Sequence, residues 1–174
     1  MEVLGVIPAR YGSTRLPGKP LASIAGKSLI RRVYEQSMKC ETLDLVCVAT
    51  DDERIVKEIA RIGGRAVMTS PDHPSGTDRI AETVEILERE EVCHPKIVVN
   101  IQGDMPFVHP RMIDEIVEPL RQAPSIPMVT SVYPIHRKEN LQNPAVVKVA
   151  TDLNGFALYF SRSLIPYPRL NQSE

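Results

Sequence analysis

The sequence predicts an α/β fold, a mostly parallel sheet with helices on both faces and an antiparallel addition near the C-terminus. Short apolar runs, bounded by turn residues, recur through the first half of the chain. Amphipathic stripes at helical spacing alternate with them. Beyond Pro127 the stripes give way to short strand-like runs joined by turns.

Val3 to Pro8 is apolar and ends at a proline, as a buried strand does. Ser28 is placed to cap a helix with Leu29, Ile30, Val33 and Tyr34 on one face and Met38 a turn later. Leu45 to Ala49 is a second buried strand, running straight into Thr50-Asp51-Asp52. Ile55, Ile59 and Ile62 mark the next helix face, which Gly63-Gly64 ends. Arg65 to Thr69 fits a short strand, and Ile80, Val84 and Leu87 form another helical stripe. Ile97 to Ile101 reads as a central strand, followed by a helix lined by Ile113, Ile116, Val117 and Leu120. Strands alternating with helices in this way imply right-handed β-α-β crossovers. Met128 to Val132, Val146 to Thr151 and Phe156 to Ser161 are the candidate antiparallel strands, the last two joined around Asp152-Leu153-Asn154-Gly155.

The length and the lack of a repeat or low-complexity linker indicate a single domain over residues 1–174. Hydrophobic residues at 43% and charged residues at 25% are the balance of a soluble globular protein. A formal net charge of −1 argues against nucleic acid as a partner, so any attraction for phosphate must be local. No apolar run approaches the roughly 20 residues that span a bilayer, so no membrane association is expected. The start, MEVLGVIPAR, has no secretory pattern. Cys40, Cys47 and Cys93 are odd in number and lack C-x-x-C spacing, which suits reduced thiols in a cytoplasmic protein. The four histidines are scattered without metal-ligand spacing.

Ligands of open α/β sheets bind at the carboxyl ends of strands, and three strand ends here are dense in polar residues: Ala9 to Lys19, Thr50 to Asp52 and Gln102 to Asp104. The first, PARYGSTRLPGKPL, brings Arg10, Arg15 and Lys19 together with two glycines and the hydroxyls of Ser13 and Thr14. Arginine grips phosphate oxygens in pairs, and lysine supplies a point charge that can follow negative charge onto a leaving group. This is not a Walker loop, because five residues separate Gly12 from Gly18 and Lys19 is followed by Pro20, which has no hydroxyl for a metal. A second cluster, SPDHPSGTDR, offers Ser75, Gly76, Thr77 and Asp78 either to a nucleotide or to helix capping. Arg79 opposes the dipole at that helix start, which favours a ligand role for it. In the third, NIQGDMPF, Gly103 permits an immediate turn and leaves Asp104 facing the expected phosphates. A hard cation such as Mg²⁺ takes one or two carboxylates besides phosphates and water.

These clusters resemble the 3-deoxy-manno-octulosonate (Kdo) cytidylyltransferase family. The resemblance is carried by IPARYGSTRLPGKPLASIAGKSLIRRV, CVATDDERI, HPSGTDR, IVVNIQGDMPF, NPAVVKV and ALYFSRSLIPYPR. The first segment also fits acylneuraminate cytidylyltransferases, while SGTDR with VNIQGD and YFSRSLIPY is more particular. The resemblance implies a Rossmann-like sheet of the nucleotide-diphospho-sugar transferase type. It also implies transfer of CMP from CTP to Kdo for lipopolysaccharide synthesis, with Mg²⁺ as cofactor. It assigns nucleotide contacts to Ala9, Arg10, Ser13, Arg15, Lys19, Ser75, Gly76, Thr77, Asp78, Arg79 and Gln102, and the metal to Asp104. Arg10, Lys19 and Asp104 become catalytic, and Arg162 becomes a candidate for the acidic sugar or for an ion pair. The family is homodimeric, and its chains are longer. The additional portion carries a second metal-binding aspartate, part of the sugar site and much of the dimer contact, so CTP binding is expected to survive better than turnover here. Met105 stands where the family has glutamate, which removes any polar role at that position. Two other functions fit the same residues: a nucleotidyltransferase for another acidic sugar, and a silent CTP-binding module.

Overall fold

A computed structural model describes residues 2–12 and 16–167. Its contacts divide the chain into two compact units, Met1–Val129 and Thr130–Glu174.

The first unit begins with strand β1 (Val3–Ala9) and a loop closed by a 3-10 turn (Lys19–Leu21). A small antiparallel hairpin, β2 (Ser23–Ile24) and β3 (Lys27–Ser28), leads into helix α1 (Leu29–Ser37). There follow β4 (Leu45–Thr50), α2 (Glu53–Ala60), β5 (Arg65–Met68), α3 (Gly76–Arg89), β6 (Ile97–Asn100) and α4 (Pro110–Gln122). The helices start where the sequence supplies caps: Ser28 Oγ accepts from the Arg31 amide at 3.3 Å, and Asp52 Oδ1 from that of Arg54 at 2.9 Å.

Four strands form one parallel sheet in the order β5-β4-β1-β6, with Leu4 opposite Leu45 and Val3 opposite Ile97. Successive side chains of β1 point to opposite faces. Val3 and Ile7 join Val46, Val48 and Val99 beneath α1, α2 and α4, through Ile30, Val33, Ile55, Ile59, Ile113 and Val117. Leu4 and Val6 join Cys47, Ala49 and Val67 beneath α3, through Ile80 and Leu87. Both faces are therefore covered, and the strands are apolar runs for that reason. The start of β1 is tied down by Asp44, whose Oδ2 accepts from the amides of Glu2 and Val3 at 2.7 and 2.9 Å.

The expected central strand at Ile97 to Ile101 is instead the edge strand β6 among the described residues. Its burial says the same: Val99 is buried, while Val98 on the other face is 40% exposed. An apolar run reports that a strand is buried and says little about which neighbours it has.

In the second unit, α5 (Lys138–Gln142) precedes β7 (Lys148–Thr151) and β8 (Ala157–Ser161). The last two form the expected antiparallel pair, as a two-stranded sheet of their own with a register shift between Ala150 and Thr151. The turn uses Asp152, whose Oδ1 accepts from the amides of Asn154 and Phe156. Met128 to Val132 forms no strand. Its prolines on either side, Pro127 and Pro134, remove ladder donors near both ends of the segment.

Candidate functional site

From β1 the chain steps through β4 to β5 on one side, then returns over the opposite face through α3 to place β6 on the other side of β1. Such a reversal opens a crevice beyond the carboxyl ends of the two strands that flank it. Here those ends deliver Ala9-Arg10 and Gln102-Gly103-Asp104. They lie very close together: a Cβ on Gly103 would sit 2.7 Å from the carbonyl oxygen of Pro8, nearer than real atoms come. Gly103 is thus required by close approach of two backbones, where the sequence suggested only a turn.

The loop after β1 is closed at its base. Gly18, at φ +70°, donates its amide to the Tyr11 carbonyl at 2.9 Å and begins the turn that carries Lys19. On its other side the Tyr11 ring lies under the Arg54 guanidinium, 3.4 Å from the ring centroid. Arg54 is also paired with Asp52, and that hydrogen bond holds the Asp52 carboxyl below the usual carboxylate range. Lys19 Nζ reaches across the crevice to Asp104 Oδ2 at 2.7 Å. A hollow of about 170 Å³ between them is lined by Pro8, Ala9, Arg10, Lys19, Gln102 and Asp104. Gln102 is exposed and donates to Asn100 Oδ1.

A second hollow, about 150 Å³, shares Pro8, Ala9 and Arg10 with the first and continues to His73, Ser75, Gly76 and Arg79. Ser75 caps α3: its Oγ accepts from the Asp78 amide and donates to Asp78 Oδ2. Capping therefore accounts for the present contacts of both residues, although Ser75, Gly76, Thr77 and Asp78 all remain exposed. Arg79 is different. Its side chain is only 4% exposed, and it is committed to Thr69 Oγ1 and to Asp51. His73 Nε2 meets Glu82, which also accepts the Ser70 amide, and the His73 contact is the main cause of a lowered Glu82 pKa. Sequence reasoning missed His73, Glu82 and Asp51 as site-building residues. Only Asp51, in the polar stretch just beyond β4, carried a visible signal.

Ser13 and Arg15 lie outside the described residues. Arg162, in the second unit, donates to the Pro144 carbonyl at 2.9 Å and forms no ion pair among the described residues. Met105 is exposed beside Asp104.

Among the described residues no group of three acidic, histidine or cysteine side chains is arranged to hold a metal. The lone Asp104 carboxylate nevertheless fits magnesium, which is commonly held by one or two carboxylates while phosphates and water fill its other positions. The donor set suits a cation that arrives with a polyphosphate better than a resident ion.

A family model described as cytidylyltransferase matches residues 4–174. The chain is 48% identical over 168 residues to a 3-deoxy-manno-octulosonate cytidylyltransferase of Syntrophus aciditrophicus, covering 97% of this chain and 66% of that protein. A protein of the same name from Syntrophotalea carbinolica is 48% identical over 169 residues, with 97% and 65% covered. The chain thus spans about two thirds of the length of these relatives. A solved structure of CMP:2-keto-3-deoxy-manno-octonic acid synthetase complexed with CTP matches with a TM-score of 0.88 at 43% identity, covering 97% of this chain and 67% of that one.

Proposed function

Because this chain belongs to the cytidylyltransferase family, we propose that it transfers CMP from CTP to the anomeric hydroxyl of Kdo, releasing pyrophosphate. The observation that carries this reading is the meeting of Lys19 and Asp104 across the crevice beside Arg10. A cation and a carboxylate at the mouth of one hollow suit a ligand that brings both phosphate and metal.

In-line displacement at phosphorus needs alignment and charge neutralisation more than covalent help from the protein. Arg10, exposed between the two hollows, is positioned to hold phosphate oxygens. Lys19 balances charge passing to the departing pyrophosphate. Asp104 holds Mg²⁺, which when bound supplies further neutralisation at the phosphates. Ser75, Gly76, Thr77 and Asp78 border the cytidine from the start of α3, with Gln102 across the crevice, and Ser13 and Arg15 precede Lys19 in the same stretch of sequence. The reading includes a cytoplasmic enzyme serving lipopolysaccharide synthesis. Its free cysteines suit a reducing compartment.

The test is pyrophosphate release with CTP, UTP or ATP against Kdo or sialic acid, with magnesium in excess. Release with CTP and Kdo alone is expected. Release with sialic acid and not Kdo would reassign the sugar. Calorimetric CTP binding without release would make the chain a binding module.

A further inference from the structure

Arg79 is the most deeply buried cation near the two hollows. Its guanidinium joins two strand ends, donating to Thr69 beyond β5 and to Asp51 Oδ2 beyond β4 at 2.9 Å. Thr69 is itself bonded to the Thr50 carbonyl through both its amide and its hydroxyl. The second carboxylate oxygen of Asp51 receives the Tyr11 amide, 3.4 Å away, at the root of the cationic loop after β1. One ion pair therefore stitches the ends of β1, β4 and β5 to the first turns of α3. The same corner is tight elsewhere, since a Cβ on Gly76 would lie 3.3 Å from the Pro8 ring.

A buried ion pair is a weak way to stabilise a fold compared with apolar side chains of similar volume, and its return is a fixed geometry. We propose that Arg79 is a positioning residue: through Asp51 it sets the backbone at Tyr11, and with it the aim of the neighbouring Arg10 at the nucleotide. It does not grip the nucleotide itself. The side chain is almost wholly covered, and its guanidinium is taken up by Thr69 and Asp51. The inference rests on the reading of the crevice as a CTP site.

The experiment compares CTP affinity by calorimetry in the full chain and in Arg79→Met, Asp51→Asn, the double variant and Arg79→Lys. Each first-named single change is expected to weaken binding by about tenfold, the scale of one charged hydrogen bond. The double variant should be no worse than the weaker single, and Arg79→Lys should recover part of the loss. Multiplying effects, or a loss with Arg79→Met and none with Asp51→Asn, would identify a direct ligand and overturn the proposal. So would a lowered Tm with unchanged CTP affinity, which marks a merely structural pair. Amide exchange at Tyr11 is read in parallel by NMR and needs no ligand. Its protection should fall in Arg79→Met, where Asp51 loses the guanidinium that fixes its carboxylate, and unchanged protection would refute the positioning role. A parent chain that binds no CTP while Tyr11 responds as expected would sink the nucleotide reading and not the Arg79–Asp51–Tyr11 coupling.

Discussion

Lys19 and Asp104 are 40% and 54% exposed, so their ion pair adds only about 0–1 kcal/mol to the fold. Each is consequently available to a ligand of opposite charge at little structural cost. Asp104→Ala should abolish the improvement of CTP affinity by magnesium while changing unfolding free energy by no more than about 0.5 kcal/mol. Titration with and without the metal, alongside urea denaturation, checks both halves. Unchanged magnesium dependence would remove Asp104 from the site. At this scale the sequence was informative about residue types and poor about commitments. Arg79 stood out because it opposes the dipole at the start of α3, and its protein partners come from the ends of β4 and β5. Nothing in local spacing reveals such a partner, because it is set by how strands are ordered.

Helix α2 depends on its first residue in the same way that the loop depends on its base. Asp52 caps the Arg54 amide and also pairs with the Arg54 side chain. Asp52→Ala should cost about 1 kcal/mol at neutral pH. The folded-state pKa of Asp52 lies below its ordinary value, chiefly through the Arg54 hydrogen bond. Its charge-dependent contribution is therefore complete above the unfolded pKa of about 3.9 and is lost as pH falls through the folded value. Denaturation at pH 7 and near pH 3 should show the gap between wild type and variant narrowing on acidification, and a gap that widens would contradict this account. Elements were the most legible level. Ser28 and the stripe Leu29, Ile30, Val33 and Tyr34 specified α1, and Ile55 with Ile59 specified α2. The edge position of β6 was hidden, because Val98 and Val99 look alike in sequence and differ only in what covers them.

Across the molecule, apolar burial is concentrated in the first unit. Ile59 is wholly buried under the sheet, whereas Leu158 is 69% exposed on β8. Ile59→Ala should lower stability by about 2–5 kcal/mol and Leu158→Ala by less than about 0.5. Guanidinium unfolding followed at the first unit would distinguish them, and equal losses would mean that β8 is packed in solution. The same core explains the thiols: burial raises the Cys47 pKa to about 12, which makes it a poor nucleophile inside the folded chain.

One consequence follows from a core that is oily on both sides of the sheet. In a strand with one wet face, sliding by one position would expose grease and drown polar groups, and the error corrects itself. Strand β1 has a fainter alarm, since exchanging Val3 and Ile7 with Leu4 and Val6 loses little hydrophobic burial, and the resistance comes from Gly5, where a Cβ would press to 2.9 Å on Leu43 and 3.1 Å on Ile101. Asp44 adds a second mark: a single carboxylate clasping the amides of Glu2 and Val3 fixes where the strand begins. From that mooring the count runs forward to Arg10, so the crevice end of the strand is indexed from its opposite tip.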